Sequence, residues 1–384
     1  MPAVTPVNAA PRFRPAWVIV DLDAIRDNVR ALVAAATPAG LLATVKADAY
    51  GHGAVPVARA ALDAGARFLG VAFVEEGVEL RDAGIDAPVL LLSEPPTVAA
   101  GTVVAHRLTP FVYTPSGIAA LGAAAVAAGV SLPVHLKVDT GMHRVGCAPG
   151  DAVALAEMVA GHDGLVLEGL ATHFAVADEA DPTYTEAQLD AFDEVVGKVT
   201  AAVGRPPIVH AANSAGALAY PRSRFDLVRV GITMYGLAPA AGIGAGLPLR
   251  PALSLHARVS FVKDLPAGAR VSYGLRYELG RASRIATVPV GYADGVPRAL
   301  GATGGAVLVG GRRCPIAGTV TMDQLLVDAG DADVQVDDEV VLLGEQGDAV
   351  IGAEEWAERL DTISYEVVTR LGGRLPRHHV GVGS

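Results

Sequence analysis

From Asp23 to about Ala36 apolar residues recur at helical spacing. Beyond them, short continuous apolar runs alternate with alanine-rich stretches. The runs lie at 41–46, 67–74, 88–92, 108–113, 133–139, 167–174, 207–212 and 226–230. Unbroken apolar runs fit strands buried on both faces. The stretches between most of them, at 54–64, 75–83, 97–105, 116–129, 151–160 and 186–203, read as helices. Eight strand units with helical crossovers predict an α/β fold, a (β/α)8 barrel of TIM type over 15–250. An open doubly wound sheet is the rival. It usually carries a G-x-G-x-x-G turn after its first strand, and Gly51-His52-Gly53 does not match that pattern. After residue 250 short β-runs are separated by Gly, Asp and Pro, and helical signal returns at 353–372. This predicts a mostly β C-terminal domain over 251–384. Residues 1–14 read as a flexible proline-containing arm.

Composition narrows the classes. The net charge is −11 and basic runs are absent, so neither nucleic acid nor an anionic membrane is an expected partner. Prolines stand where a signal peptide needs an apolar core, and no apolar run reads as a membrane span. A cytoplasmic protein is expected. Cys147 and Cys314 form neither a disulfide framework nor a metal spacing, so no metal is expected. Lysine is scarce: Lys46, Lys137, Lys198 and Lys263 are the four among 30 basic residues, so each one calls for a reason.

In a barrel, side chains at the C-terminal ends of the strands build the active site. Those positions here hold Lys46, Asp48, Tyr50, Lys137, Asp139, Arg144, His173, Asn213, Ser214, Arg229 and Gly231. Two of the four lysines fall at strand ends. An amine desolvated among apolar groups has a lowered pKa and can serve as nucleophile or base, commonly as a Schiff-base lysine. The plain alternative is a structural ion pair such as Lys137 with Asp139. Barrels often bind a phosphate at the loops after the last two strands, here 211–218 and 229–236, where Ser214 offers a hydroxyl and Gly231 a close backbone approach. A lysine facing a phosphate site fits pyridoxal 5′-phosphate. Arg229 opposite a pyridine nitrogen would leave that nitrogen unprotonated, because a guanidinium keeps its protons. The alternative is that it pairs with Asp226.

The segments VKADAYGHGA (45–54), LKVDTGMHRVG (136–146), THFAVAD (172–178), HAANSAGAL (210–218), DLVRVGITMYGL (226–237), VSYGLRY (271–277), GYADGVPR (291–298) and TMDQLLVD (321–328) resemble those of the alanine racemases, fold-type-III pyridoxal-phosphate enzymes. The match runs in order over nearly the whole chain. It implies a cytoplasmic homodimer with shared active sites, converting L-alanine to D-alanine for peptidoglycan. Lys46 resembles the lysine that holds the cofactor and acts as one base. Tyr273 looks like the base on the opposite face, given by the other subunit. Tyr50, Ser214, Gly231, Ile232 and Tyr365 resemble the phosphate-binding set, with Asn213 beside them. Arg229 resembles the partner of the ring nitrogen, and His173 the link from Arg229 to Tyr273. Arg144 and the amide of Met322 resemble the substrate-carboxylate contacts. Lys137 corresponds to a lysine often carbamylated, and Tyr292, Asp178 and Ile363 to corridor residues. The chain departs from the family where Thr319 and Thr321 replace an arginine and a cysteine, which changes the entrance rather than the core chemistry. The resemblance leaves three rivals: a racemase of another small amino acid such as serine, a barrel decarboxylase of basic amino acids, and a non-catalytic carrier of pyridoxal phosphate. The carrier would lack the SYG and MDQ segments that this chain has.

Overall fold

A computed structural model describes residues 13–381, so most of the expected arm, residues 1–12, lies outside the described residues. The chain divides into two compact units, one formed by 21–252 with 379 onward, the other by the N-terminal stretch to Val20 with 253–378.

In the first unit, eight parallel strands stand in the order expected of a barrel. They are β2 (Gly40–Thr44), β3 (Phe68–Val71), β4 (Val89–Leu91), β5 (Thr109–Val112), β6 (Leu132–Lys137), β7 (Leu165–Ala171), β8 (Ile208–His210) and β9 (Leu227–Val230). Each pairs with the next from β2 to β8, and β9 pairs with β2. At the remaining seam Asp226 N–H donates to Val209 C=O at 3.0 Å and Arg229 N–H to Ala212 C=O at 3.0 Å. β2, β3, β4, β5 and β9 are buried along their whole length, which is why their sequences read as unbroken apolar runs. Leu42, Phe68, Leu90, Phe111, Ala171 and Leu227 fill the interior. Helices cover the outside. The first, Leu22–Ala36, is capped by Asp21, whose carboxylate accepts from Asp23 N–H and Ala24 N–H, and it buries Ile25, Val29 and Leu32 at helical spacing. The helix Pro115–Ala127 begins at the cap Thr114 with proline in its first turn.

The second unit is mostly β. Its main sheet includes Ala306–Val309, Glu339–Gln346 and β10 (Leu253–Arg258), followed by β1 (Ala16–Asp21). β1 runs antiparallel to β10, from Ala16 opposite Ala257 to Val20 opposite Leu253. Residues 16–20 therefore belong with this sheet, whereas the sequence reading begins the barrel at residue 15. A three-stranded sheet joins Phe261–Leu265, Ser283–Val288 and Leu325–Gly330. The helical signal of 353–372 resolves into two short helices, Ala353–Leu360 and Ser364–Thr369.

Candidate active site

Lys46 stands two residues past β2, half-buried. The four residues after it do not continue a right-handed helix. Ala47, Asp48, Ala49 and Tyr50 all have φ between 51° and 54°, with ψ between 37° and 52°, forming a left-handed turn. Such a conformation costs an L-residue about 1–2 kcal/mol, so the surroundings must hold it in place. Ala49 N–H donates to Val45 C=O at 2.8 Å, Gly53 N–H to Asp48 C=O at 2.9 Å, and Ala54 N–H to Asp48 Oδ1 at 2.7 Å. Glu76 supplies the cross-link. Its carboxylate accepts from Ala47 N–H at 2.7 Å, and from Ala72 N–H at 2.7 Å and Phe73 N–H at 3.1 Å in the next loop. The turn sends Tyr50 inward, 4.9 Å between ring centres from Tyr235, whose hydroxyl donates to Thr44 C=O at 2.8 Å. Burial pushes the Tyr50 phenol up to about 12, so it remains protonated.

The cations at the barrel mouth act on one another. Burial lowers the Lys46 pKa, Arg144 lowers it further, and Glu76 partly opposes both. Lys137, at the end of β6, is buried and lies 5.3 Å over the Phe111 ring. Its pKa falls to about 7, first through desolvation and then through the charges of Arg229 and Arg144. The ion pair with Asp139 that sequence left open does not form. The Asp139 carboxylate instead accepts from Gly141 N–H at 3.0 Å and His143 N–H at 2.9 Å, and meets His143 Nδ1 at 3.2 Å. Arg144 follows in the same loop, exposed.

Arg229 is buried on β9, and its alternative partner is also excluded. Asp226 binds Arg205 at 2.6 Å and Val209 N–H at 2.8 Å. Arg229 Nη1 donates to His210 Nδ1 at 2.9 Å, and Nη2 to Thr172 C=O at 2.8 Å, Ala211 C=O at 2.9 Å and His173 Nδ1 at 2.9 Å. Burial, reinforced by Arg229, holds His173 and His210 well below the ordinary histidine range, so both are neutral acceptors. Burial also lowers Arg229, to about 10, which still leaves it protonated at neutral pH. Nε–H and the second Nη1–H have no partner among the described residues. Ser214 Oγ accepts from Gly231 N–H at 2.9 Å and from Thr233 Oγ1 at 3.2 Å, and Asn213 caps the short helix by accepting from Gly216 N–H at 2.9 Å. Gly231 has to lack a side chain, since a Cβ there would stand 2.6 Å from Tyr50 Oη. Ile232 follows, fully buried.

These groups suit a ligand with an aldehyde, an aromatic ring nitrogen and a phosphate. Lys46 offers an amine of reduced basicity, Arg229 uncommitted donors, and Tyr50, Ser214 and Gly231 a hydroxyl and amide cluster. Apart from Asp178, the remaining expected residues lie in the C-terminal unit. Tyr273 is 72% exposed and Met322 52%, while Tyr365 is half-buried in the helix Ser364–Thr369. Thr319 Oγ1 donates to Tyr273 C=O at 3.2 Å, and Thr321 Oγ1 to Gln324 C=O at 2.8 Å. Tyr292 and Ile363 are exposed on that unit and Asp178 on the barrel. Sequence reasoning missed Glu76. Its one signal is an acidic residue in the first turn of the helix after the second barrel strand, a position that reads as ordinary capping.

The resemblance can be measured. A family model described as the alanine racemase N-terminal domain matches residues 20–239, and one described as the C-terminal domain matches 252–379. The alanine racemase of Symbiobacterium thermophilum is 47% identical over 370 residues, covering 96% of this chain and 98% of its own. That of Thermobifida fusca is 45% identical over 366 residues, with 94% and 97% covered. Among solved structures, the alanine racemase from D-cycloserine-producing Streptomyces lavendulae superposes with a TM-score of 0.91 at 41% identity, covering 97% of this chain and 98% of that one. The Bacillus anthracis enzyme with bound L-Ala-P gives 0.90 at 39% identity, covering 98% and 97%. With both halves matched in order and nearly the whole chain covered by relatives above 40% identity, the chain belongs to the alanine racemase family.

Proposed function

We propose that this chain interconverts L-alanine and D-alanine with pyridoxal 5′-phosphate as cofactor, working as a cytoplasmic homodimer that makes D-alanine for peptidoglycan. The observation that carries the reading is the pairing of Lys46, an amine of lowered pKa, with a buried Arg229 held by neutral acceptors. When bound, the cofactor supplies an aldehyde for that amine and a ring that accepts the electrons of the substrate Cα–H bond. Tyr50, Ser214, Gly231, Ile232 and Tyr365 would hold its phosphate, with Asn213 fixing the loop, and Arg229 would face its ring nitrogen. A permanently protonated guanidinium does not give that nitrogen a proton, which favours moving a proton at Cα over deeper electron withdrawal. Racemisation needs a base on each face. Lys46 Nζ takes or returns the Cα proton on one face, and Tyr273 Oη of a second subunit does so on the other. Arg144 and the Met322 amide would orient the substrate carboxylate.

Purified protein should carry the visible absorption of lysine-bound cofactor, and borohydride should fix that cofactor to Lys46. L-alanine should lose optical activity fastest among a panel of small amino acids. Label recovered on Lys137 or Lys263, or no preference for alanine, would overturn the reading.

A further inference from the structure

Arg229 is a buried cation with no carboxylate in contact among the described residues. The chain of hydrogen bonds leading away from it nevertheless ends on one. Arg229 Nη1 meets His210 Nδ1 at 2.9 Å, His210 Nε2 meets His135 Nδ1 at 2.8 Å, and His135 Nε2 meets Glu168 Oε2 at 3.0 Å. The proton order along this line follows from its first member. A guanidinium only donates, so His210 Nδ1 must accept and its proton sits on Nε2. That N–H donates to His135 Nδ1, which puts the second imidazole's proton on Nε2 as well, aimed at the Glu168 carboxylate. Protonating either ring would set two N–H groups head to head. Burial opposes such protonation, holding both imidazoles below the ordinary histidine range.

The rings are built in tightly. Both histidines are fully buried, and Glu168 at the far end is 30% exposed. Phe111 stacks on His210 with 5.8 Å between centres, and Phe68 and Phe111 meet His135 edge-on. Gly169, opposite His135 across the β6–β7 pair, leaves the room: a Cβ there would lie 2.3 Å from His135 Nδ1. A purely apolar barrel interior would need none of this.

We propose that Glu168, His135 and His210 form a positioning relay that gives Arg229 a distant counter-charge and holds its guanidinium in one orientation. A carboxylate in direct contact would occupy the guanidinium's donors and largely cancel its charge. Placed two imidazoles away, the carboxylate compensates the buried cation while Nε–H and one Nη1–H remain uncommitted for a ring nitrogen. The role of those donors rests on the proposed function. The proton order does not.

Glu168→Gln and Glu168→Leu separate charge from hydrogen bonding, since glutamine can still accept from His135 Nε2–H. In the loaded enzyme Glu168→Gln should lower kcat by about three- to tenfold with KM within about twofold, and Glu168→Leu should lower it further. The visible band of the bound cofactor should shift in both. Nitrogen-15 NMR of histidine-labelled wild type, with or without cofactor, should place the proton of both His135 and His210 on Nε2. A proton found on Nδ1 of either ring, or wild-type kcat and spectrum in both variants, overturns the relay. So does a kcat loss in Glu168→Leu that Glu168→Gln fully restores, because that result needs only a hydrogen-bond acceptor. If Glu168→Leu does not fold, Glu168→Gln and the wild-type NMR decide. A wild-type protein that binds no cofactor or does not racemise alanine defeats the functional reading and leaves the NMR test of the relay intact.

Discussion

Lys137 shows how far burial changes one residue. Desolvation and the nearby guanidinium groups bring its amine down to about 7, from 10.5 in an unfolded chain. Between those values the unfolded state binds more protons than the folded one, so this residue's contribution to stability rises with pH across that window. In protein stripped of CO2, wild-type Tm should gain on that of Lys137→Met between pH 7 and 9. Parallel curves would mean that the amine does not feel its burial. The neutral amine is also the form that reacts with CO2, and a carbamate at Nζ would turn repulsion of Arg144 into a charge-assisted hydrogen bond. With Lys137 carbamylated, Lys137→Ala should cost on the order of tenfold in activity by misplacing Arg144, and acetate should restore part of the loss. Full activity of Lys137→Ala without added anion would remove the carbamate from the account. Sequence could single out this lysine through scarcity and position. It could not choose between a carbamate and an Asp139 pair, because the choice depends on Asp139 turning to the loop amides of Gly141 and His143.

At the scale of elements, five of the eight barrel strands were legible because burial on both faces leaves an unbroken apolar run, and the other three still keep a mostly apolar one. The left-handed turn after Lys46 was not. Ala47, Asp48, Ala49 and Tyr50 include no glycine, the usual mark of positive φ, and read locally as helix formers or loop. The conformation is held by Glu76 from outside the turn and by the bonds that Asp48 makes within it. The relay escaped for a related reason. His135, Glu168 and His210 come from three strands, and each one alone is a polar interruption of an apolar run. If the turn stores strain in order to aim Lys46 and Tyr50, Ala47→Gly should relieve it while loosening the aim. Its Tm should stay level or rise by about 1–4 °C, the return of up to roughly 1 kcal/mol. kcat should fall at least about threefold as the lysine gains freedom. A lower Tm with unchanged kcat would show that the turn is neither strained nor positioning.

At the scale of the whole molecule, the candidate machinery is divided between two units. Lys46, Lys137, Arg144, His173 and Arg229 belong to the barrel, and Tyr273, Met322 and Tyr365 to the β unit. Sequence read the change of texture near residue 250, yet it could not assign residues 16–20. Trp17, Val18, Ile19 and Val20 make an apolar run like those of the barrel, and only their pairing with β10 places them. The β unit exposes Tyr273, Leu275, Met322 and Ile363, so the side chains expected from it stand open to solvent in a single chain. In the proposed dimer each site would take Lys46 from one chain and Tyr273 from the other. Lys46→Ala and Tyr273→Ala homodimers should then both be nearly inactive. Dissociated and reassociated in equal amounts, they would form hybrids in which one site has both bases and the other has neither. Random reassociation of a two-fold dimer makes about half the molecules hybrid, so activity should return to about a quarter of wild type. Bases drawn from the same chain would leave every site short of one base, and confirmed hybrids would then be no more active than their parents.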